Sequence, residues 1–371
     1  MLTSQDDLIG HQTAAPFARA GNGDPRFTER FWYTAHPIDG RDLLIDMGLG
    51  YYPNRGVMDA FAGITVGRQQ HTFRASRRLG SNPLQTAVGP LQFEVVEGMK
   101  RHRLSLADND SGISFEIEFE ASFPAAHEKP SYRERKGEVY EDLSRMTQFG
   151  RYRGWIVVQG VRYLIEPATW IGQRDRSWGV RAQLHTDEHR PPVVEPTNFF
   201  WTWAMCQFDD RGVLLFIKER EPDQAWYLSG SEFRRAADGS VTHREMTAVK
   251  HRYQWADDAL GQTITAADFH LEFAEGPPRD LHVEGLTPRF YLKAGLYGGL
   301  KGWNHGDDRG EFYSEHEVWN LDDAQTRVTA RTLSDHVLRG TSEGQVGYGI
   351  AEYGVASGYQ RYLAPQRFPV L

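Results

Sequence analysis

The chain has 371 residues, a formal net charge of −8, 40% hydrophobic and 25% charged residues, and 12% aromatics with 10 Trp. Acidic charge without a basic block leaves no footprint for nucleic acid or an anionic membrane, and the lone Cys206 permits no internal disulfide framework. The N-terminal stretch carries no continuous apolar run and none elsewhere could span a bilayer, so the expectation is a cytoplasmic protein without stable membrane insertion, in two domains.

In chain order, "DLLIDMGLGYY", "GVMDAFAGITVG", "LQFEVVE" and "RHRLSLADN" are short alternating or apolar segments separated by turn residues. In "ISFEIEFEASF" the residues Ile113, Phe115, Ile117, Phe119 and Ala121 alternate with Ser114, Glu116, Glu118 and Glu120, which predicts a half-buried strand. "KGEVYEDLSRMTQF", with Val139, Leu143 and Met146 at spacings of four and three, reads as helix or as a strand-like lead-in. "WIVVQGVRYLI" reads as a hairpin around Gln159-Gly160.

"WIGQRDRSWGVRAQ" follows, with a strand period but no clean apolar face. Gln173, Asp175, Ser177, Gly179 and Arg181 share one side, and Arg174, Arg176, Trp178 and Val180 the other. The proline-interrupted "HTDEHRPPVVEPTN" is the natural seam, giving domains 1–190 and 191–371, each a β-barrel. His185 and His189 lie there at i, i+4 spacing, but nothing nearby completes a metal-ligand set, so the stretch reads as a solvated linker.

Beyond the seam, "FFWTWAMCQF" is apolar on both faces, as for a strand buried on both sides, and Trp201 and Trp203 are candidate substrate contacts. Cys206 has no basic sequence neighbour to activate it and reads as a structural thiol. "GGLKGWNHGDDRGEFYSEHEVW" offers His305, Asp307 and Glu317 as acid/base candidates with Trp303 as an aromatic wall; the same residues also fit a polar loop leading into an edge strand. Tyr51 in "LGYYPNRG" is a further candidate contact. The expected class is all-β, two barrel domains side by side.

G-x-x-x-x-G-K-[ST], H-E-x-x-H and C-x-x-C do not occur, which removes nucleotide loops and zinc sites; no metal site is expected. The D-x-x-W-G segment formed by Asp175, Trp178 and Gly179, followed by Arg181, resembles the lipocalin-like AttH/CrtC superfamily of carotenoid 1,2-hydratases (hydroxyneurosporene synthases) and related cyclases. Relatives often read D-H-S-W-G; here Arg176 stands at the histidine, so an acid/base role at that position has no counterpart.

The resemblance implies two lipocalin-like barrels, a hydrophobic small-molecule substrate of isoprenoid, steroid or polyketide type, and a lyase or isomerase reaction without cofactor. It makes Asp175 the candidate acid, Trp178 a wall or cation stabiliser, and Arg174 or Arg181 the group that orients Asp175. Two other readings stand beside it. An Asp–Arg pair next to Trp and Gly can serve only to lock the strand at a domain interface. The same apolar barrel can also belong to a non-catalytic carrier of a hydrophobic ligand, or, with "SEHEVWNLDD", to a carbohydrate-active protein.

Overall fold

The computed structural model describes residues 14, 16–17, 19–80, 82–135, 137–182, 198–256, 263–330, 333–356 and 358–362. The seam, with His185, His189 and the boundary at 190/191, lies outside the described residues. The fold is all-β, as expected. One sheet is built from β1 (Phe27–Pro37), β2 (Leu43–Tyr52), β3 (Val57–Val66), β4 (Gln69–Arg78), β5 (Ala87–Val88), β6 (Leu91–Glu97), β7 (Arg101–Leu106), β8 (Ile113–Ala121), β9 (Ala126–His127), β10 (Ser131–Arg135), β11 (Glu138–Val158), β12 (Val161–Ile165) and β13 (Trp170–Val180). The other is a closed barrel of β14 (Phe200–Gln207), β15 (Arg211–Glu221), β16 (Gln224–Arg235), β17 (Val241–Trp255), β18 (Ile264–Phe273), β19 (Arg279–Tyr291), β21 (Ser334–Ser342) and β22 (Gln345–Val355).

Between β19 and β21 the chain leaves the second barrel, and its strand β20 (Phe312–Asn320) adds antiparallel to β4 as the last strand of the first sheet. That sheet runs β20-β4-β3-β2-β1-β13-β11-β8-β7-β6-β5 and forms the first, nearly closed barrel. The histidine- and acid-rich stretch from Gly298 to Trp319 therefore packs with the first sheet. Its strand is the expected edge strand, with Phe312 and Val318 on the exposed face.

Strand periodicity accounts for most of these elements. In β8, Ile113, Phe115, Ile117 and Phe119 are buried while Glu116 and Glu120 are exposed. The hairpin at Gln159-Gly160 has φ of 49° and 81°, the left-handed pair that a two-residue turn between twisted strands requires. The helical reading of "KGEVYEDLSRMTQF" is corrected: the segment opens the long strand β11, paired with β13 and then β12 along one side and with β10, β9 and β8 along the other. Backbone pairing on both sides outweighed a spacing of four and three residues that fits a helix only briefly. The described α-helix of the chain is short, Ala324–Ala330, after β20.

Each barrel has its own apolar interior. Tyr33, Met47, Phe93, Leu104 and Phe119 belong to the first, and Phe200, Phe269, Leu271, Leu281 and Leu338 to the second. A third apolar cluster lies between them, with Trp32, Leu44, Phe61 and Phe149 from the first sheet and Trp203, Met205, Phe216 and Phe290 from the second. Strand alternation sorts the side chains: Phe200, Ala204 and Cys206 of β14 turn into the barrel while Trp203 and Met205 join the interface, so both faces are buried, as its sequence predicts. No helix among the described residues is long and apolar enough to cross a membrane.

Candidate functional site

The interface face of the first sheet is set by alternation along β1, β2, β11 and β13. Tyr33, Met47 and Leu49 point into the first barrel; Trp32 and Leu44 point toward the second. Trp32 is register partner of Asp175, and Asp175 of Thr147, which puts Asp175, Thr147 and Arg145 on the same interface side.

Three carboxyl groups meet in this apolar layer: Asp46 from β2, Asp335 from β21 and Glu352 from β22. Asp46 and Asp335 are fully buried. Burial, and then the charge of Asp46 on Asp335 and of Asp335 on Glu352, pushes Asp335 and Glu352 well above the usual carboxylate range; burial raises Asp46 to about 7. Asp335 lies within hydrogen-bonding reach of both other carboxyls, a contact that needs a proton on one member of each pair. The Trp32 indole Nε1–H donates to Asp335 Oδ2 at 3.2 Å. At neutral pH the trio is a store of protons enclosed between the barrels.

Beside it sits the opposite charge pattern. Arg145 lies 3.7 Å from Asp175 Oδ2 and 3.7 Å from Glu128 Oε2, and Trp203 Nε1–H donates to Glu128 Oε1 at 2.8 Å. Burial opposes the Arg145 charge, but Glu128 and Asp175 raise its proton affinity above that of a free arginine. Glu352 feels both Arg145 and Asp175. The indoles of Trp32 and Trp203 meet edge to face, 5.3 Å between centroids, so the acids are walled by aromatic rings from both barrels.

Another part of the interface holds Arg30, whose Nη2 is 3.1 Å from His305 Nε2, while His305 Nδ1 is 3.3 Å from Asp59 Oδ2. Arg30 lies over the Tyr297 ring at 4.7 Å, and Tyr297 meets the His305 ring edge to face at 5.0 Å. Burial, and then the adjacent Arg30, lowers His305 to about 4, so it is neutral at pH 7. Arg181 donates to Ser177 Oγ at 2.7 Å and is lowered to about 10 by burial, then by Arg30 and Arg145. Asp175 interacts with Arg30, Arg145 and Arg181 alike.

The structure thus brings together Asp175, Arg181, Trp203 and His305, with Trp201 packed against the same interface cluster. It separates the rest. Arg174 alternates to the inside of the first barrel, where Tyr51 is also buried. Trp178 is 39% exposed and stacks on His127 with centroids 6.3 Å apart. Asp307 is committed locally, accepting from Asn304 N at 2.7 Å. Glu317 on β20 pairs with Lys301 and with the buried Arg74, and Trp303 is buried in a small cluster with Leu300 and Trp319, at 5.6 Å from the Arg74 guanidinium. Cys206 is buried and its thiol pushed up to about 12, as for a structural cysteine.

The sequence reading missed Asp46, Asp335, Glu352, Glu128 and Arg145. One local signal existed: Asp46 interrupts "DLLIDMGL", a strand buried along its whole length, where a carboxylate has no water to face. Asp335 and Glu352 carry no such mark, because their partners lie on other strands and in the other barrel. A groove of about 540 Å³, lined by His270, Asp280, His282 and Asp268 among others, involves none of the residues above.

Among solved structures, an AttH protein of Nitrosomonas europaea aligns over 90% of this chain and 93% of that one, with a TM-score of 0.53 and 15% identity. Kievitone hydratase of Nectria haematococca aligns over 88% and 89%, at a TM-score of 0.41 and 12% identity. At 15% identity the first likeness is one of fold, and it agrees with the expected all-β architecture of two lipocalin-like barrels. No curated protein matches the chain. The family described as Family of unknown function (DUF8625) matches residues 2–361, and the chain belongs to it.

Proposed function

For this member of DUF8625 we propose a cofactor-independent lyase or isomerase, hydratase- or cyclase-like, that moves a proton to or from an apolar small molecule between the two barrels. One observation carries the reading: the buried Asp46 and Asp335 and the half-buried Glu352, from both barrels, form an acid trio beside Asp175 and Arg145. A proton added to an alkene carbon needs an acid that is still protonated at working pH and a surround that tolerates the cation formed. Glu352 is the proposed donor, since it is held protonated and faces Asp175 and Arg145. Asp46 and Asp335 would reprotonate it. Asp175, fixed by Arg145, is the proposed base that takes a proton from attacking water or from an adjacent carbon, and Trp32 and Trp203 present ring faces or edges to a developing cation. The substrate class is that of an isoprenoid, steroid or polyketide-like molecule.

A second reading is favoured by the ion pairs themselves: Arg145 between Asp175 and Glu128 can simply tie elements of the first sheet, with Trp203 of the second barrel held on Glu128. One experiment separates the two. Native mass spectrometry of the protein from its own host identifies the retained apolar ligand, which is then turned over in D₂O. Deuterium should appear on a product carbon, and Glu352→Gln or Asp175→Asn should slow the reaction by roughly 10²–10⁴ with little change in melting temperature. Variants that react at the parental rate while folded, or that lose about 3–5 kcal/mol of stability instead, leave these residues as interface ties.

A further inference from the structure

Arg174 occupies the face of β13 opposite Asp175, and its surroundings are of a different kind. It is 1% exposed, inside the first barrel. Its Nε and Nη2 donate to Gln148 Oε1 at 2.9 and 2.6 Å, Nη2 also lies 3.9 Å from Met99 Sδ, and its Cζ is 5.6 Å from the Phe119 ring centre. All of these partners are neutral, and among the described residues no carboxylate lies within ion-pairing distance of it. A buried guanidinium matched by no anion is costly, and a fold seldom retains one without use for it.

Further donors converge on the same phenyl ring. Tyr33, His102 and Tyr152 have ring centres 6.2, 5.9 and 5.4 Å from that of Phe119. The Tyr33 hydroxyl, close to Arg174, lies 2.5 Å from His102 Nδ1. Burial, then Arg174, pushes His102 down to about 3, so the ring is neutral at pH 7. His102 Nε2 and the Tyr152 hydroxyl are both enclosed and have no hydrogen-bond partner, in residues 2% and 0% exposed. A fixed positive charge beside an imidazole nitrogen and a phenol hydroxyl that have no partner, in an apolar wall, is the recognition chemistry of an anion.

The surroundings specify the anion further. Phe93, Leu104 and Phe119 line the same interior, and Met99, which covers the Arg174 end, shares its hairpin with Val95 and Val96, exposed by 52%, 48% and 37% respectively. An apolar interior reached past an apolar lip suits a chain or ring bearing one acidic group better than a hydrated inorganic ion.

We propose that the first barrel holds a binding site for a small organic carboxylate, its head on Arg174, His102 Nε2 and the Tyr152 hydroxyl and its apolar part among the barrel core. This site is separate from the interface acids and does not depend on the reading given to them.

The test uses the full chain, ¹³C-carboxyl decanoate and benzoate as probes, and decanol, nitrate and phosphate as controls. Decanoate or benzoate should bind saturably by carboxyl NMR and, at ten times its Kd, raise the melting temperature by about 3 °C; decanol and the inorganic anions should not. Arg174→Gln should abolish binding and Tyr152→Phe, which removes a single oxygen and keeps the fold should Arg174→Gln fail to fold, should weaken it about tenfold. Binding of decanol as tight as that of decanoate, an equal response to nitrate or phosphate, an unchanged Kd in Tyr152→Phe, or no saturable carboxylate signal overturns the proposal.

Discussion

The interior of the second barrel and the layer between the barrels are both apolar and both contain buried acids, yet they treat those acids in opposite ways. In the second barrel, Glu219 lies 3.1 Å from His251 Nε2 and accepts from the Tyr359 hydroxyl at 2.5 Å, while His336 Nδ1 is 2.9 Å from the Tyr353 hydroxyl. These polar groups face partners of complementary kind, although Glu219 Oε1 and the Tyr253 hydroxyl find no hydrogen bond. Between the barrels, Asp46, Asp335 and Glu352 are set against each other, and Arg145 is shared by Asp175 and Glu128. Acids that oppose one another in a dry layer reduce stability, and such an arrangement marks a working site more often than a scaffold. The two barrels share a fold; the difference lies in where polar groups close on each other and where they do not.

Substitutions can break this contrast. The largest stability effect is expected for Arg145→Met, which leaves Asp175 and Glu128 facing each other without a cation and should cost about 3–5 kcal/mol in a denaturant titration. A neutral outcome would mean that the interface charges are not electrostatically coupled.

Asp46→Asn should act the other way. With its folded pKa raised to about 7 against an ordinary value near 3.8, Asp46 contributes stability that is fully present below pH 4 and lost as pH rises toward 7. The amide does not titrate, so the variant should gain on the parent between about pH 4 and 7 and hold a constant advantage above that, up to about 4 kcal/mol. Melting temperatures measured from pH 4 to 9 check the sign; a variant that loses ground as pH rises would remove the strain assigned to the trio.

Tyr359→Phe in the second barrel should instead destabilise, by about 1.5–3 kcal/mol, because Glu219 loses a donor that nothing else replaces. Equal signs for Asp46→Asn and Tyr359→Phe would erase the contrast between the two regions. A smaller or similar effect, about 1–3 kcal/mol, is expected for Gly63→Ala, where a Cβ would stand 2.1 Å from the Phe290 ring of the other barrel. If the interface is as tightly packed as the cores, calorimetry should show that loss; an unchanged melting temperature would mean a loose contact.

The all-β class, the half-wet strand Ile113–Ala121, the hairpin at Gln159-Gly160 and the doubly buried strand Phe200–Gln207 are all legible in sequence, because period and turn chemistry are local properties. So is the split of "RDRSWGVR" into two faces, with Arg174 and Arg181, each offered as the group that orients Asp175, on opposite sides; that the Arg181 side meets the second barrel is not. The tertiary structure alone decided that Asp46, Asp335 and Glu352 meet, that Arg145 serves two acids, and that the stretch containing Glu317 returns to the first sheet. Sequence fixes which residues turn the same way along one strand. Which strands of two barrels face each other depends on how the closed sheets dock, and the proton affinity of a carboxyl depends on the water and charge that docking leaves around it.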